Sequence, residues 1–528
     1  MEKTRMSIAP PPEKRSWRQI LQTWTHPRVI TMLFLGFSAG IPILLIFSTL
    51  SVWLREAGVS RSAVTFFSWA ALGYSFKFVW APLIDKLPLP FMTRFFGRRR
   101  AWMLVSQGLI ILAIALMASV NPAAGDNGLT IMAFAAVLLG FSSATQDIVI
   151  DAYRIECIDE SYQALLSSTY IAGYRIGMVV AGAGSLFLAS YLGTTGEAYV
   201  YSAWRSTYFA IALTMLVGVL TTLIIPEPES NRDPSIYKYS AGQYLRFSLV
   251  FLVASLTFCL TFFLSESLAT YCKSILLAVA FLDPGLSGFI VEALRLCIAV
   301  LMAAGMVTVL VKAGFLGEKM VRETYIDPVQ DFFRRYGLKT ALLMLLLIGF
   351  YRISDIVLGV VSNVFYVDMG FSKNVIAGIT KIYGIGMTIL GGFLGGFLTL
   401  RYGVYAILFL GAFLSAATNL LFMVLAGAGT DVTLLTVVIA IDNLSAGLAA
   451  TAFIAFLSSL TNISFTAVQY ALFSSLMTLF PKLFGGYSGT IASIYGYNNF
   501  FLLTTFMGVP VLVLIWVINR KLKTGNVP

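Results

Sequence analysis

Charge is what this chain has least of: 12% of its 528 residues are Asp, Glu, Lys or Arg, about half the share of a soluble domain. A water-soluble globule of this length is thereby excluded. Histidine is nearly missing, with His26 the only one, which removes the commonest general base. The four cysteines, Cys157, Cys259, Cys272 and Cys297, include no C-x-x-C pair, so neither a His/Cys metal cluster nor a disulfide framework is expected. No Walker A, G-x-S-x-G or H-E-x-x-H pattern occurs, and Gly182 and Gly184 lie in an apolar run with no strand before them. An ATP-driven pump, a hydrolase and a nucleotide-cofactor enzyme fall away together. No cofactor and no enzymatic activity are expected.

What the chain has instead is apolar length. Hydrophobic residues make up 58% and the mean hydropathy is +0.85. About twenty apolar residues at 1.5 Å rise span a bilayer. Such runs fall near 29–51, 63–84, 102–120, 129–152, 165–190 and 205–225, then 245–265 and 286–312, then 340–364, 374–400, 404–427, 431–457, 468–491 and 497–519. The first run is too long for a signal-peptide core and has no small-residue cleavage site, so it is expected to be a retained span. The fold class expected is an all-α polytopic membrane protein of about 14 spans, six, two and six.

The two sixes are repeats. Leu54-Arg55-Glu56-Ala57-Gly58-Val59-Ser60 follows the first run and Val367-Asp368-Met369-Gly370-Phe371-Ser372 follows the ninth; Gln163-Ala164-Leu165 and Gln469-Tyr470-Ala471-Leu472 form a second echo. Both pairs lie a little over three hundred residues apart. Parallel six-helix halves are the major-facilitator arrangement, with substrate bound at mid-membrane between them. The organisation expected is a segment 1–28, a half 29–225, a linker 226–339 holding two extra helices, a half 340–519 and a tail 520–528.

The net charge of +11 does not call for nucleic acid, because the bases sit in short hinges. Arg5, Lys14, Arg15, Arg18 and Arg28 precede the first span, Arg94, Arg98, Arg99 and Arg100 follow the second, and Arg520, Lys521 and Lys523 follow the last. That asymmetry places both termini in the cytoplasm, with anionic lipid headgroups as neighbours.

Burying a charge in hydrocarbon costs about 2.5–3.5 kcal/mol on insertion scales, so charges inside spans mark a wet path or a structural pair. Asp147 and Asp151 share a helical face, with Gln146 adjacent; Asp151 is either a proton site or a helix end paired with Arg154. Asp355 has Arg352 one turn earlier, as a functional group or as half of a structural pair. Asp147, Asp151 and Asp355 are the proton-coupling candidates. Lys77, Arg175, Arg352 and Lys381, with Tyr74, Trp80, Gln146 and Asn443, are the candidate substrate-binding residues, cations and polar or aromatic groups set within the apolar runs. Lys482 can snorkel, Asp442 is a polar lining or a helix contact, and Glu292 with Arg295 is a local ion pair. Gly391-Gly392-Phe393-Leu394-Gly395-Gly396 is a small-residue packing stripe. With no ATP site, uphill transport needs an ion gradient, and a proton crossing about 150 mV releases about 3.5 kcal/mol. Protons are the coupling ion expected.

Asp85, Arg98, Arg99 and Arg100 resemble the major-facilitator loop in which an acid at a helix end meets arginines and a helix N-terminus. The reading is a gating latch, against a plain basic hinge; Ala81 stands where glycine is usual. Taken with Gly36-Phe37-Ser38-Ala39-Gly40-Ile41-Pro42, Phe76-Lys77-Phe78-Val79-Trp80-Ala81-Pro82, Ala144-Thr145-Gln146-Asp147-Ile148-Val149-Ile150-Asp151, Gly173-Tyr174-Arg175 and Tyr351-Arg352-Ile353-Ser354-Asp355, the chain resembles the AmpG-type muropeptide permeases in both halves. The resemblance implies a monomeric, proton-driven importer of the bacterial inner membrane. Its substrates would be N-acetylglucosaminyl-1,6-anhydro-N-acetylmuramic acid and its muropeptides, recycled from the periplasm, with β-lactamase induction downstream. Alternatives within transport are an acetyl-coenzyme A-type carrier and a drug exporter.

Overall fold

The computed structural model describes residues 26–60, 67, 74, 76–195, 198–228, 239–279 and 284–523. Among these residues, thirteen helices are long and apolar enough to cross a membrane. The expected second span, 63–84, lies mostly outside the described residues. The first half holds span one (Pro27–Glu56), span three (Arg98–Ala118), span four (Asn127–Glu156), span five (Gln163–Tyr191) and span six (Tyr201–Ile224). The second holds span nine within Glu318–Asp368, then span ten (Ala377–Tyr402), span eleven (Val404–Ala428), span twelve (Val432–Leu460), span thirteen (Ile463–Pro481) and span fourteen (Ile491–Leu522). All are helical because, with no water in the bilayer core, a helix satisfies its own backbone.

Local chemistry sets the ends. Pro27 opens span one, where its missing N–H is no loss, and His26 Nδ1 accepts from Arg28 N at 3.2 Å. The echo after the first and ninth spans is one cap built twice. Gly58 and Gly370 have φ of +81° and +83°, a left-handed turn that glycine adopts without steric cost. The following N–H reaches back five residues in each copy, Val59 to Leu54 O at 2.9 Å and Phe371 to Tyr366 O at 3.2 Å, as in a Schellman cap. The second echo is also a shared joint. Gln163 Nε2 donates to Arg154 O at 3.0 Å, and Gln469 Oε1 accepts from Asn462 N at 2.7 Å, so each glutamine fastens span five or thirteen to the preceding turn.

Close approach comes from glycine. A methyl on Gly36 or Gly40 would overlap carbonyl oxygens of span five, and one on Gly173 or Gly177 would overlap those of span one. In the second half the Gly391 stripe does two things: Gly391 and Gly395 abut Leu444 and Leu448 of span twelve, while Gly396 meets Ser168 of span five, across the halves. Several spans depart from regular helix, among them one, nine and ten. Span one breaks at Phe47, beyond Pro42; span nine turns at Tyr351–Arg352; span ten begins with a π-helix, Ala377–Tyr383, a feature frequent at functional sites.

The chain forms two compact units, Met1–Asn231 with Asp331–Pro528, and Arg232–Gln330. The smaller unit carries two long helices, Ala241–Leu264 and Pro284–Lys312, and between them Glu266–Val279. That 14-residue helix was not expected from the sequence, being too short and too polar to register as a span. Arg295 pairs with Glu292 at 3.2 Å, donates to Ser265 Oγ at 3.1 Å and to Phe262 O, and lies over the Phe262 ring. Its charge is thus answered inside the unit.

Candidate transport site

Span four carries the site because its helix runs to Glu156, four residues past the expected end. Arg154 and Glu156, beyond the expected end of the span, are therefore helical and buried. Counting back from Glu156 at 1.5 Å per residue, Asp151 lies about 8 Å and Asp147 about 14 Å from the basic end. Asp147, Asp151 and Lys77 are each under a tenth exposed. Lys77 Nζ is 3.8 Å from Asp151 Oδ2, and Arg154 Nη2 is 3.4 Å from Asp151 Oδ1. Both sequence readings of Asp151 thus meet in one geometry: it is paired with Arg154, yet it lies inside the helix and shares Lys77. Asp147 stands one turn deeper, with its Oδ1 bonded to nothing.

The residues around this cluster are mostly engaged. Tyr74 donates to Ser143 Oγ at 2.6 Å. Trp80 gives its indole N–H to Thr145 at 3.1 Å and packs against Phe141; only 7% exposed, it is a contact between spans two and four. Gln146, fully buried, donates to Ser38 of span one at 3.2 Å, and its Oε1 has no partner.

Across the halves, Arg175 of span five is half-buried and within electrostatic reach of Arg352 of span nine. Arg352 Nε is 3.9 Å from Asp355 Oδ2, so the pair read from sequence is present but loose. Asp442 accepts from Thr418 at 3.0 Å and lies within reach of Asp355. Asn443 is committed to Thr388 at 2.9 Å and to Ile439 O at 3.0 Å. Lys381 falls in the π-helix of span ten; its side chain, like that of Lys482, lies outside the described residues.

The hinge after span two is knit by charge. Arg99, 1% exposed, holds Asp85 at 2.7 Å and both oxygens of Glu156 at 2.6 and 3.0 Å. Arg98 donates to Asp85 O at 2.6 Å. Arg100 reaches Thr222 O and Leu223 O of span six at 2.9 and 2.7 Å. The N-terminus of span three is capped by Glu227, which accepts from Arg99 N at 2.8 Å and Arg100 N at 3.1 Å. Burial pushes the Glu227 carboxyl above its ordinary range, opposed by those two N–H groups. Neither Glu156 nor Glu227 was singled out in the sequence. Glu156 could have been found by continuing the helix through Tyr153-Arg154-Ile155; Glu227 sits in a proline-rich hinge that reads only as a helix stop.

The halves join at this end. Arg154 donates to Ser458 Oγ of span twelve at 2.8 Å and lies over the Tyr470 ring of span thirteen at 5.1 Å. Lys86 lies over Phe465. Arg335, at the start of span nine, binds Asp331 at 2.9 Å and Gln469 at 3.0 Å.

A family model described as Major Facilitator Superfamily matches residues 32–367. A "Putative transporter AmpG 4" of Rickettsia conorii is 29% identical over 505 residues, 96% of this chain and 100% of that protein. An "Anhydromuropeptide permease" of Escherichia coli K12 is 27% identical over 510 residues, 96% of this chain and 83% of that one. Among solved structures, the proton:xylose symporter XylE aligns with a TM-score of 0.53 at 12% identity, over 93% of this chain and 94% of that one. FucP in the outward conformation aligns with a TM-score of 0.56 at 12% identity, over 94% and 99%; these likenesses show the fold. The family model, an Asp–Arg hinge of the superfamily's kind and relatives matched over nearly the whole chain converge: the protein belongs to the Major Facilitator Superfamily, as a permease of the AmpG type.

Proposed function

We propose that this permease carries 1,6-anhydro-disaccharide muropeptides from the periplasm to the cytoplasm, as a monomer of the bacterial inner membrane, and that proton entry drives it. The basic end of the bundle is then cytoplasmic. In this reading the import supplies peptidoglycan recycling and, through it, β-lactamase induction. The relatives' names support the substrate class.

The observation that carries the proton coupling is the buried set Asp147, Asp151 and Lys77 in span four. Two carboxylates one turn apart share a single lysine, and one oxygen of Asp147 has no donor. Asp151 also meets Arg154 at 3.4 Å, so Asp147 is the member of the pair with the weaker claim on a cation, and a proton on the pair relieves the repulsion between two buried carboxylates. The lactyl and peptide carboxylates of the substrate would meet Arg175 and Arg352, one from each half, so that binding draws the halves together.

The test is uptake of radiolabelled anhydro-disaccharide into membrane vesicles under an imposed pH gradient. Accumulation that collapses with a protonophore supports the reading. Accumulation without proton dependence overturns the coupling, and no uptake, with transport of acetyl-coenzyme A or export of a dye instead, overturns the substrate.

A further inference from the structure

We propose that Arg154 is the inner gate: it bars the basic end of the path between the halves while Asp151 is charged, and leaves when Asp151 is neutralised. The inference rests on the transporter reading above and adds the part that moves.

Its position is the first argument. On one side of Arg154 lie Asp151, Asp147 and Lys77. On the other lies a cavity of about 480 Å³, walled by Arg28, Glu156, Asp159 and Gln163 of the first half and by Ser458 and Thr461 of the second. Gln163 and Ser458 belong to that wall and also bind Arg154, at 3.1 and 2.8 Å. The guanidinium, 0% exposed, therefore lies between the membrane-buried charges and an open cleft that residues of both halves line. It is held from both sides, since Ser167 of span five accepts from it at 3.2 Å while Ser458 and the Tyr470 ring belong to the second half.

Its charge balance is the second. Of the partners that Arg154 binds, Ser458, Ser167 and Gln163 are neutral, and Asp151 is the carboxylate. Its Nε has no partner at all. The groups facing this pair are Lys77 of span two, Asp147 of span four, Tyr170 of span five and Tyr470 of span thirteen. On the cavity side stand Arg28, Glu156, Cys157, Asp159 and Glu160. When Asp151 takes a proton, a wholly buried cation keeps only neutral hydrogen-bond partners, an arrangement that buried charges do not tolerate. The nearest relief is the cavity, whose wall is rich in carboxylates. Moving there breaks the Ser458 bond and leaves the Tyr470 ring, the two ties that Arg154 makes across the halves, and uncovers the buried charges to the cleft. Protonation at span four and opening at the basic end are in this way one event, a two-state element biased by a local charge.

The experiment measures the separation of the halves directly. Spin labels are placed at Arg94→Cys and Ser464→Cys, both exposed at the basic end, in the full chain with its four native cysteines replaced, and pulsed-dipolar distances are recorded without substrate. At pH 8 the parent should show one short distance. Arg154→Gln and Asp151→Asn should each raise the population of a longer distance at least fivefold at pH 8. Ser458→Ala, which alters no charge, should raise the long-distance population more weakly and serves if Arg154→Gln does not fold. A short distance that persists in Ser458→Ala together with either charge variant overturns the proposal. Because no substrate is present, the result is independent of which solute the uptake assay identifies.

Discussion

Arg99 clasps both carboxylate oxygens of Glu156, at 2.6 and 3.0 Å, and so ties the hinge after span two to the last turn of span four. Glu156 lies two residues beyond Arg154 and five beyond Asp151. The loop that resembles the superfamily's latch and the carboxylates assigned to proton movement thus share one helix end.

That pairing gives a stability prediction. Arg99→Met leaves Asp85 and Glu156 buried without their cation, and removing one member of a buried ion cluster costs about 3–5 kcal/mol. Glu156→Gln leaves the Asp85 pair intact and should cost less. Thermal unfolding of the detergent-solubilised protein checks the order; equal midpoints for Arg99→Met and the parent would show the latch to be a plain basic hinge.

Asp147→Asn and Asp151→Asn remove the proton acceptors while keeping shape. Each should abolish accumulation of substrate against a gradient, by tenfold or more, while exchange of labelled for unlabelled substrate survives. Both are measured at equal membrane expression. Should both variants accumulate substrate as the parent does, span four is not the proton site and Asp355 takes its place.

Asp355 and Arg352 stand 3.9 Å apart, loose enough for each to serve another partner. Asp355→Asn and Arg352→Gln should therefore each cut uptake at least tenfold, and the double variant should recover little. A purely structural pair behaves otherwise, since neutralising both members restores most of what either single change loses. Uptake by the double variant near the parent's rate would remove Asp355 and Arg352 from the transport site.

Glycine packing between spans one and five offers a contrast with a built-in control. Gly173→Ala places a methyl against Leu33 O and the backbone of Phe37, where helix backbone rather than a flexible side chain must yield. A loss of about 3 kcal/mol or more is expected, at the upper end for overpacking. Gly108→Ala, with open space around the added carbon, should be neutral or gain up to about 1 kcal/mol from helix propensity. Equal expression and equal unfolding midpoints for the two variants would contradict the packing described.

The sequence by itself determined the class, an all-α polytopic membrane protein, and the cap that recurs after the first and ninth spans. These depend on short-range information: a bilayer forces each apolar run of about twenty residues to satisfy its backbone alone, and Gly58 and Gly370 mark the same cap because only a left-handed turn closes it. It also named Asp147, Asp151 and Lys77, since a charge within an apolar run is visible without a structure. The tertiary structure decided the partners. Lys77 could have met any acid, and it is the packing of span two on span four that sets it by Asp151. Glu227 looked like part of a helix stop until span six brought it to the open N–H groups of Arg99 and Arg100. Arg154 and Ser458 are 304 positions apart, each unremarkable in its own stretch. An arginine near a helix end carries no signature of what lies across the interface. Its role follows from burial and from which half answers its charge, and both are properties of the assembled bundle.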